Sequence, residues 1–70
     1  MDANWAEHRR EAVDLIQRSR RALDSMHAED KEEAINLTEA IEAAVAQHDS
    51  AALVEALKSL KELLFFVEGG

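Results

Sequence analysis

Apolar positions in this chain recur at steps of three and four, the spacing that places them on one face of an α-helix. They do so in three separate runs. The first is Trp5, Ala12, Ile16, Leu23 and Met26, with Arg9 and Ser19 at the intervening positions and Val13, Leu15 and Ala22 widening the stripe. It predicts a helix over about 4–27, with Asn4 as N-cap and Glu7 completing a capping box. The second run is Ile35, Leu37, Ile41, Ala44, Val45 and His48, and it predicts a helix over about 31–48. Asp30 and Glu33 form an acidic capping box at its start, where carboxylates suit the helix dipole. Glu32, Asn36, Glu39 and Ala43 mark its wet side, and Ala43, Ala44 and Ala46 leave room for a close neighbour. The third run is Leu53, Ala56, Leu57, Leu60, Leu63, Leu64 and Val67, predicting a helix over about 50–68. Asp49 or Ser50 caps it and Gly69 is placed to end it.

Joints of two to four residues favour antiparallel neighbours. The expected fold is therefore all-α: an antiparallel up-down-up three-helix bundle, one domain over 1–70, with a longer first helix. At 1.5 Å per residue the first helix is about 35 Å long and the others nearer 27 Å. The excess should overhang the bundle at the N-terminal end, around Trp5.

Composition supports this class. Ala, Glu, Lys, Leu and Arg supply 39 of the 70 residues, a helical bias. Pro is absent and both glycines, Gly69 and Gly70, stand at the end, so caps rather than breakers must set the boundaries. A chain this short buries only about 60% of its unfolded surface, which leaves little room for an active-site cleft. Without Cys there is no disulfide framework and no thiolate metal site. No apolar run approaches the roughly 20 residues of a membrane span, and no signal-peptide core follows Met1; a cytoplasmic location is expected.

The formal net charge is −7. That balance argues against nucleic acid and anionic membrane as partners, since both reward Lys and Arg. The charge is also uneven. Arg9, Arg10, Arg18, Arg20 and Arg21 balance the acids of residues 1–27, whereas residues 28–70 set ten acids against Lys31, Lys58 and Lys61. The arginines are expected to face acids on the other helices and to pair locally, as Arg10, Asp14 and Arg18 do at i,i+4 spacing. An anion site on Arg18, Arg20 and Arg21 would need a Gly-rich loop that is absent. His27 and His48 are placed near helix C-termini, and His8 and His48 can approach each other, but two histidines without a third ligand do not make a zinc site. No nucleophile elbow, phosphate loop or buried acid–base pair is legible. An enzyme is not expected, and neither is a cofactor or a metal.

The chain ends on Leu63-Leu64-Phe65-Phe66-Val67, and one groove cannot bury all five. With Leu60 and Leu64 inward, Phe65 and Phe66 fall on opposite flanks, with Val54 on the flank of Phe65. Either one Phe folds over the open end of the bundle near Met26 and Ile35, or the run is a contact surface. Val54, Phe65, Phe66 and Trp5 are the candidate contact residues. At most one of the two Phe is expected to be fully buried in a monomer, and weak homodimerisation is expected, more evident at high salt.

The layout resembles the C-terminal helical lid of DnaK-type chaperones, the seventy-kilodalton heat-shock family. Glu11-Ala12-Val13-Asp14-Leu15-Ile16 with Arg21-Ala22-Leu23 is similar to the later part of that lid's long second helix. His27-Ala28-Glu29-Asp30-Lys31 resembles the break before its third helix. Ile41-Glu42-Ala43-Ala44-Val45, then His48-Asp49-Ser50-Ala51-Ala52-Leu53, resembles the third helix and its acidic turn, and Val54-Glu55-Ala56-Leu57-Lys58-Ser59-Leu60 the fourth. The likeness covers roughly residues 8 to 64. It implies a chain without chemistry of its own, a piece of a longer chaperone that closes over a client peptide and slows its release. The partners would be the rest of the chaperone chain and unfolded client peptides, with the region Trp5–Glu11 nearest the peptide-binding subdomain. Met1 would then come from cloning. The rival expectation is a free-standing acidic helical module that starts at Met1 and binds a partner through the apolar third helix.

Overall fold

A computed structural model describes residues 3–69, with the side chain of Ala3 left aside. It contains three α-helices and, among the described residues, no strand: α1 over Ala3–Ala22, α2 over Ala28–Ala46 and α3 over Ser50–Gly69, with a short 3-10 turn over Leu23–Ser25. The bundle measures 39 × 19 × 16 Å. It is the expected all-α three-helix bundle, and α1 with its 3-10 turn is the longest helical segment.

Two ion pairs fix the direction of α1 against α3. Lys61 Nζ lies 2.6 Å from Glu11 Oε2, and Arg18 Nη2 donates to Glu68 Oε1 at 2.7 Å. Both partners step seven residues along their helices between one pair and the next, so α1 and α3 run parallel and α2 returns between them. That is the up-down-up order.

The core is built on α3. Leu53, Ala56, Leu57, Leu60, Leu63 and Leu64 are all buried, and Val67 packs against them. α2 contributes Ala34, Ile41 and Ala44, and α1 contributes Trp5, Ala12 and Leu15, with Ser19 as the buried polar residue. The third stripe is as expected. The first two are rotated. On α1, Leu15 is buried while Ile16 and Leu23 are only partly covered and Arg9 is exposed. On α2, small Ala34 takes the core position and Ile35 is left 48% exposed.

The boundaries differ from expectation in three places. α1 starts at Ala3, so Asn4 lies inside it rather than capping it. Its α-helical part ends at Ala22, where the chain tightens into a 3-10 turn; Met26 N–H then bonds Leu23 C=O at 3.1 Å, and Met26 turns extended with its side chain in the core. α2 begins at Ala28, three residues early, so Glu29 and Asp30 sit in its first turn. There they face the positive end of the helix dipole, but they are not the cap. His27 holds the N-cap position without a side-chain cap bond, and not the helix C-terminus expected for it.

The turn from α2 to α3 follows from its hydrogen bonds. His48 N–H bonds Val45 C=O at 3.1 Å and Asp49 N–H bonds Ala44 C=O at 2.9 Å. That is the Schellman pattern, whose left-handed position usually belongs to Gly. Here it is His48, with φ 54°. Asp49 then caps α3, accepting from Ala52 N–H at 3.1 Å through Oδ1, as its residue type predicts.

Candidate functional site

The strained His48 is held by what lies on it. Its ring stacks on the Trp5 indole with centroids 3.9 Å apart and 19° between planes. A non-Gly residue in the left-handed region costs about 1–2 kcal/mol, and an aromatic stack returns about 0.5–1.5 kcal/mol. This stack clasps the start of α1 to the α2–α3 turn. Trp5 is only 8% exposed as a result. The free overhang expected around Trp5 is thus absent, and Trp5 is not part of an exposed contact face. His48 meets an indole rather than His8. Among the described residues no group of three His, Cys, Asp or Glu is placed to hold a metal ion.

The other candidate contact residues are exposed. Phe65 is 77% exposed, Phe66 71% and Val54 41%. The alternative in which one Phe folds over the open end of the bundle is not what the structure shows. Phe66 edges a shallow crevice with Met26, His27 and Asp30, yet most of its ring stays in water. Phe65 lies on the opposite flank, beside Arg18, Lys61 and Glu68. The reason is register: once Leu60, Leu63 and Leu64 are inward, residues 65 and 66 straddle the outward face of α3.

The arginines divide in the same way. Among the described residues Arg18 is the one arginine in an ion pair; the hydrogen bond from its guanidinium to Glu68, then the charge of Glu68, hold its pKa above the ordinary value. Arg9, Arg10, Arg20 and Arg21 are exposed, and among the described residues none lies within ion-pair distance of an acid. The expected facing of all five onto acids of α2 and α3 holds for Arg18 only. Arg20 and Arg21 close the last turn of α1, where cations suit the helix dipole.

A further feature escaped the sequence reading: the seam between α1 and α2 is open. One stretch of about 260 Å³ runs over Ser19, Leu23, Ala34, Ile35 and Thr38, with Arg20, Glu39 and Glu42 at its edges. A second of about 230 Å³ runs over Ala12, Val13, Ile16, Ile41 and Val45, with Arg9 and Glu42 at its edges. Both lie along the α1–α2 seam with Glu42 at the edge of each, and together they make up its trough. The signal for it was present in Val13 and Ile35, apolar residues too far round their helices to reach the core.

No helix of the described chain is long and apolar enough to cross a membrane. Set against known protein families, curated proteins and solved structures, the chain matches none of them.

Proposed function

We propose that this chain is the helical lid of the substrate-binding domain of a DnaK-like chaperone, acting in the cytoplasm by closing over a bound client peptide and slowing its release. What supports the reading is the order in which the lid-like segments fall on one block. Glu11–Ile16 and Arg21–Leu23 lie on α1 and its 3-10 turn. His27–Lys31 opens α2, Ile41–Leu53 carries the chain through the acidic turn, and Val54–Leu60 lies on α3. α1 is fastened to that block by Trp5 on His48 at one end and Arg18 on Glu68 at the other. As a lid the chain does no chemistry; it changes the rate of client escape, and affinity differences of this kind are carried mostly by off-rates.

The test is a graft. The chain is fused behind the peptide-binding domain of a DnaK-type chaperone whose own lid has been removed, and dissociation of a fluorescent client peptide is followed. The reading predicts slower release than from the lidless parent. Release as fast as from the lidless parent contradicts it.

The exposure of Phe65 and Phe66 favours a second reading, a free-standing acidic helical module that binds a partner protein through the apolar α3. Under it the graft leaves client release unchanged, and Phe65→Ser with Phe66→Ser abolishes partner binding while leaving the helix content intact.

A further inference from the structure

The clasp between Trp5 and His48 joins the start of α1 to the α2–α3 turn through a side chain whose charge can change. His48 is an exposed residue with one face of its ring on the indole, so a proton can reach the imidazole without the fold opening. The two rings are nearly parallel, 19° apart with centroids at 3.9 Å. Any charge on the imidazole is therefore set over the face of the indole. That face is the negative side of the ring, and indole is the strongest of the aromatic partners for a cation. The geometry does not depend on the proton. The left-handed φ of 54° and the two hydrogen bonds of the turn fix the backbone from which the His48 ring projects.

The charged groups around the clasp leave the indole as the main side-chain partner of His48. His48 follows Gln47, the C-cap of α2, where the last carbonyls of the helix favour a cation. On the α3 side its neighbour Asp49 is an acid, but that carboxylate is turned to Ala52 N–H. On α1, His8 and Arg9 stand one turn beyond Trp5. His8 faces the crevice between α1 and α3, with Glu11, Lys58, Lys61 and Glu62. Arg9 edges the trough toward α2, with Glu42 opposite. Each of these sets contains both signs. Among the described residues no acid lies within ion-pair distance of His48.

We infer that the clasp is tightened by acid: protonation of His48 strengthens its hold on Trp5 and so the docking of the start of α1 on the α2–α3 turn. Histidine is the side chain that ordinarily changes charge between about pH 5 and pH 8. The added attraction belongs to the imidazolium. It is present at the acid end of that range and is lost as the pH rises. The neutral ring still stacks, so the clasp loosens at high pH without being abolished. A cation on an exposed aromatic face shifts an equilibrium constant by about two- to fivefold. At high pH the first turns of α1 accordingly part from the turn more often than at low pH. This inference goes beyond the lid reading and stands whether or not the chain acts as a lid.

Urea unfolding of wild type and His48→Asn, followed by circular dichroism at about pH 5 and about pH 8, tests it. Asn tolerates the left-handed backbone and does not titrate, and the position is exposed, so the fold is not at stake. The other ionisable groups, His8 and His27 included, are common to both proteins and cancel in the comparison. The ratio of the two unfolding constants should move about two- to fivefold in favour of wild type on going from pH 8 to pH 5. Repeated on Trp5→Leu, the same comparison should show a smaller shift, the part owed to the end of α2. Equal ratios at the two pH values, or a greater advantage for wild type at pH 8, overturn the inference. A shift undiminished by Trp5→Leu assigns the effect to the helix end alone and also overturns it. If Trp5→Leu does not fold, emission decides. Trp5 is the single Trp of a chain without Tyr, so its fluorescence reports on the clasp. A stacked imidazolium quenches indole more than the neutral ring does. Emission of folded wild type should fall from pH 8 to pH 5 and stay level in His48→Asn; the same change in both proteins overturns the inference.

Discussion

The seam between α2 and α3 and the seam between α1 and α2 belong to one small bundle, yet they are made by different means. The first is closed by shape. α3 presents a leucine at almost every inward step, and Leu53, Leu60 and Leu64 are at most 1% exposed, as is Ile41 of α2 facing them. The second is hardly closed at all. α1 turns Ala12, Leu15 and Ser19 inward, while Val13 and Ile16 sit at the edge of a trough. Beside its core residues Trp5, Ala12 and Leu15, α1 carries fasteners along its length: the Trp5 stack on His48, then Glu11 with Lys61, then Arg18 with Glu68. None of these ion pairs reaches α2. A stripe of branched side chains makes a seam, whereas fasteners hold a helix in register and leave a groove beside it. The groove and the exposed rings of α3 are where this protein has surface to offer.

The largest expected effect falls on the closed seam. Leu60→Ala should cost about 2–5 kcal/mol, since it empties a fully buried site. Against a total of about 5–15 kcal/mol for a folded domain, that displaces a large share of the population. Ile35→Ala at the open seam should cost less than about 1 kcal/mol, because half its surface is already in water. Urea unfolding of both variants measures the contrast, and equal losses would erase it.

A smaller effect belongs to the clasp at the end of α1. A double-mutant cycle on Trp5→Leu and His48→Ala should give a coupling of about 0.5–1.5 kcal/mol. His48→Gly sharpens the point. It relieves the left-handed backbone while removing the stack, so its net change should be smaller than that of His48→Ala. If His48→Gly is the worse of the two, the strain assigned to His48 is not there.

The smallest effect is polar. Glu11 and Lys61 are both well solvated, with 37% and 52% of their side-chain surface exposed. Lys61→Met should therefore change stability by less than about 1 kcal/mol. The difference from wild type should shrink as salt is raised past about 0.15 M, where the screening length falls to about 8 Å.

Much of this was legible in the chain, and the reasons for the remainder are physical. α3 was legible because its apolar residues are large, regular and preceded by a true cap in Asp49. That Phe65 and Phe66 would not both be buried was legible too, from five consecutive apolar residues that no single groove can take; that both stay exposed was not, because the open end of the bundle near Met26 offered one of them a place. The phase of α2 was harder to read, because Ala34 and Ile35 are both apolar and hydropathy favours the larger one. Packing chose the smaller, in line with Leu37, Ile41 and Ala44. The end of α1 at Ala22 has no Gly or Pro to mark it; burial of Met26 sets it. The turn at His48 was hidden because Gly is the usual occupant of its backbone conformation, and the Trp5 stack that holds it comes from more than forty residues away. The trough was hidden for a related reason: periodicity says which side of a helix is apolar and leaves open how closely two helices meet.

Native-state hydrogen exchange, read amide by amide, tests the central contrast most directly. If α2 and α3 form the closed unit and α1 is held by fasteners, amides in the middle of α3, around Leu57 to Leu64, should exchange only through global unfolding. Amides in the middle of α1, around Ala12 to Arg18, should exchange through a partial opening of lower free energy that leaves α2 and α3 protected. Protection in the middle of α1 equal to that of α3 would show a single closed core and contradict the account.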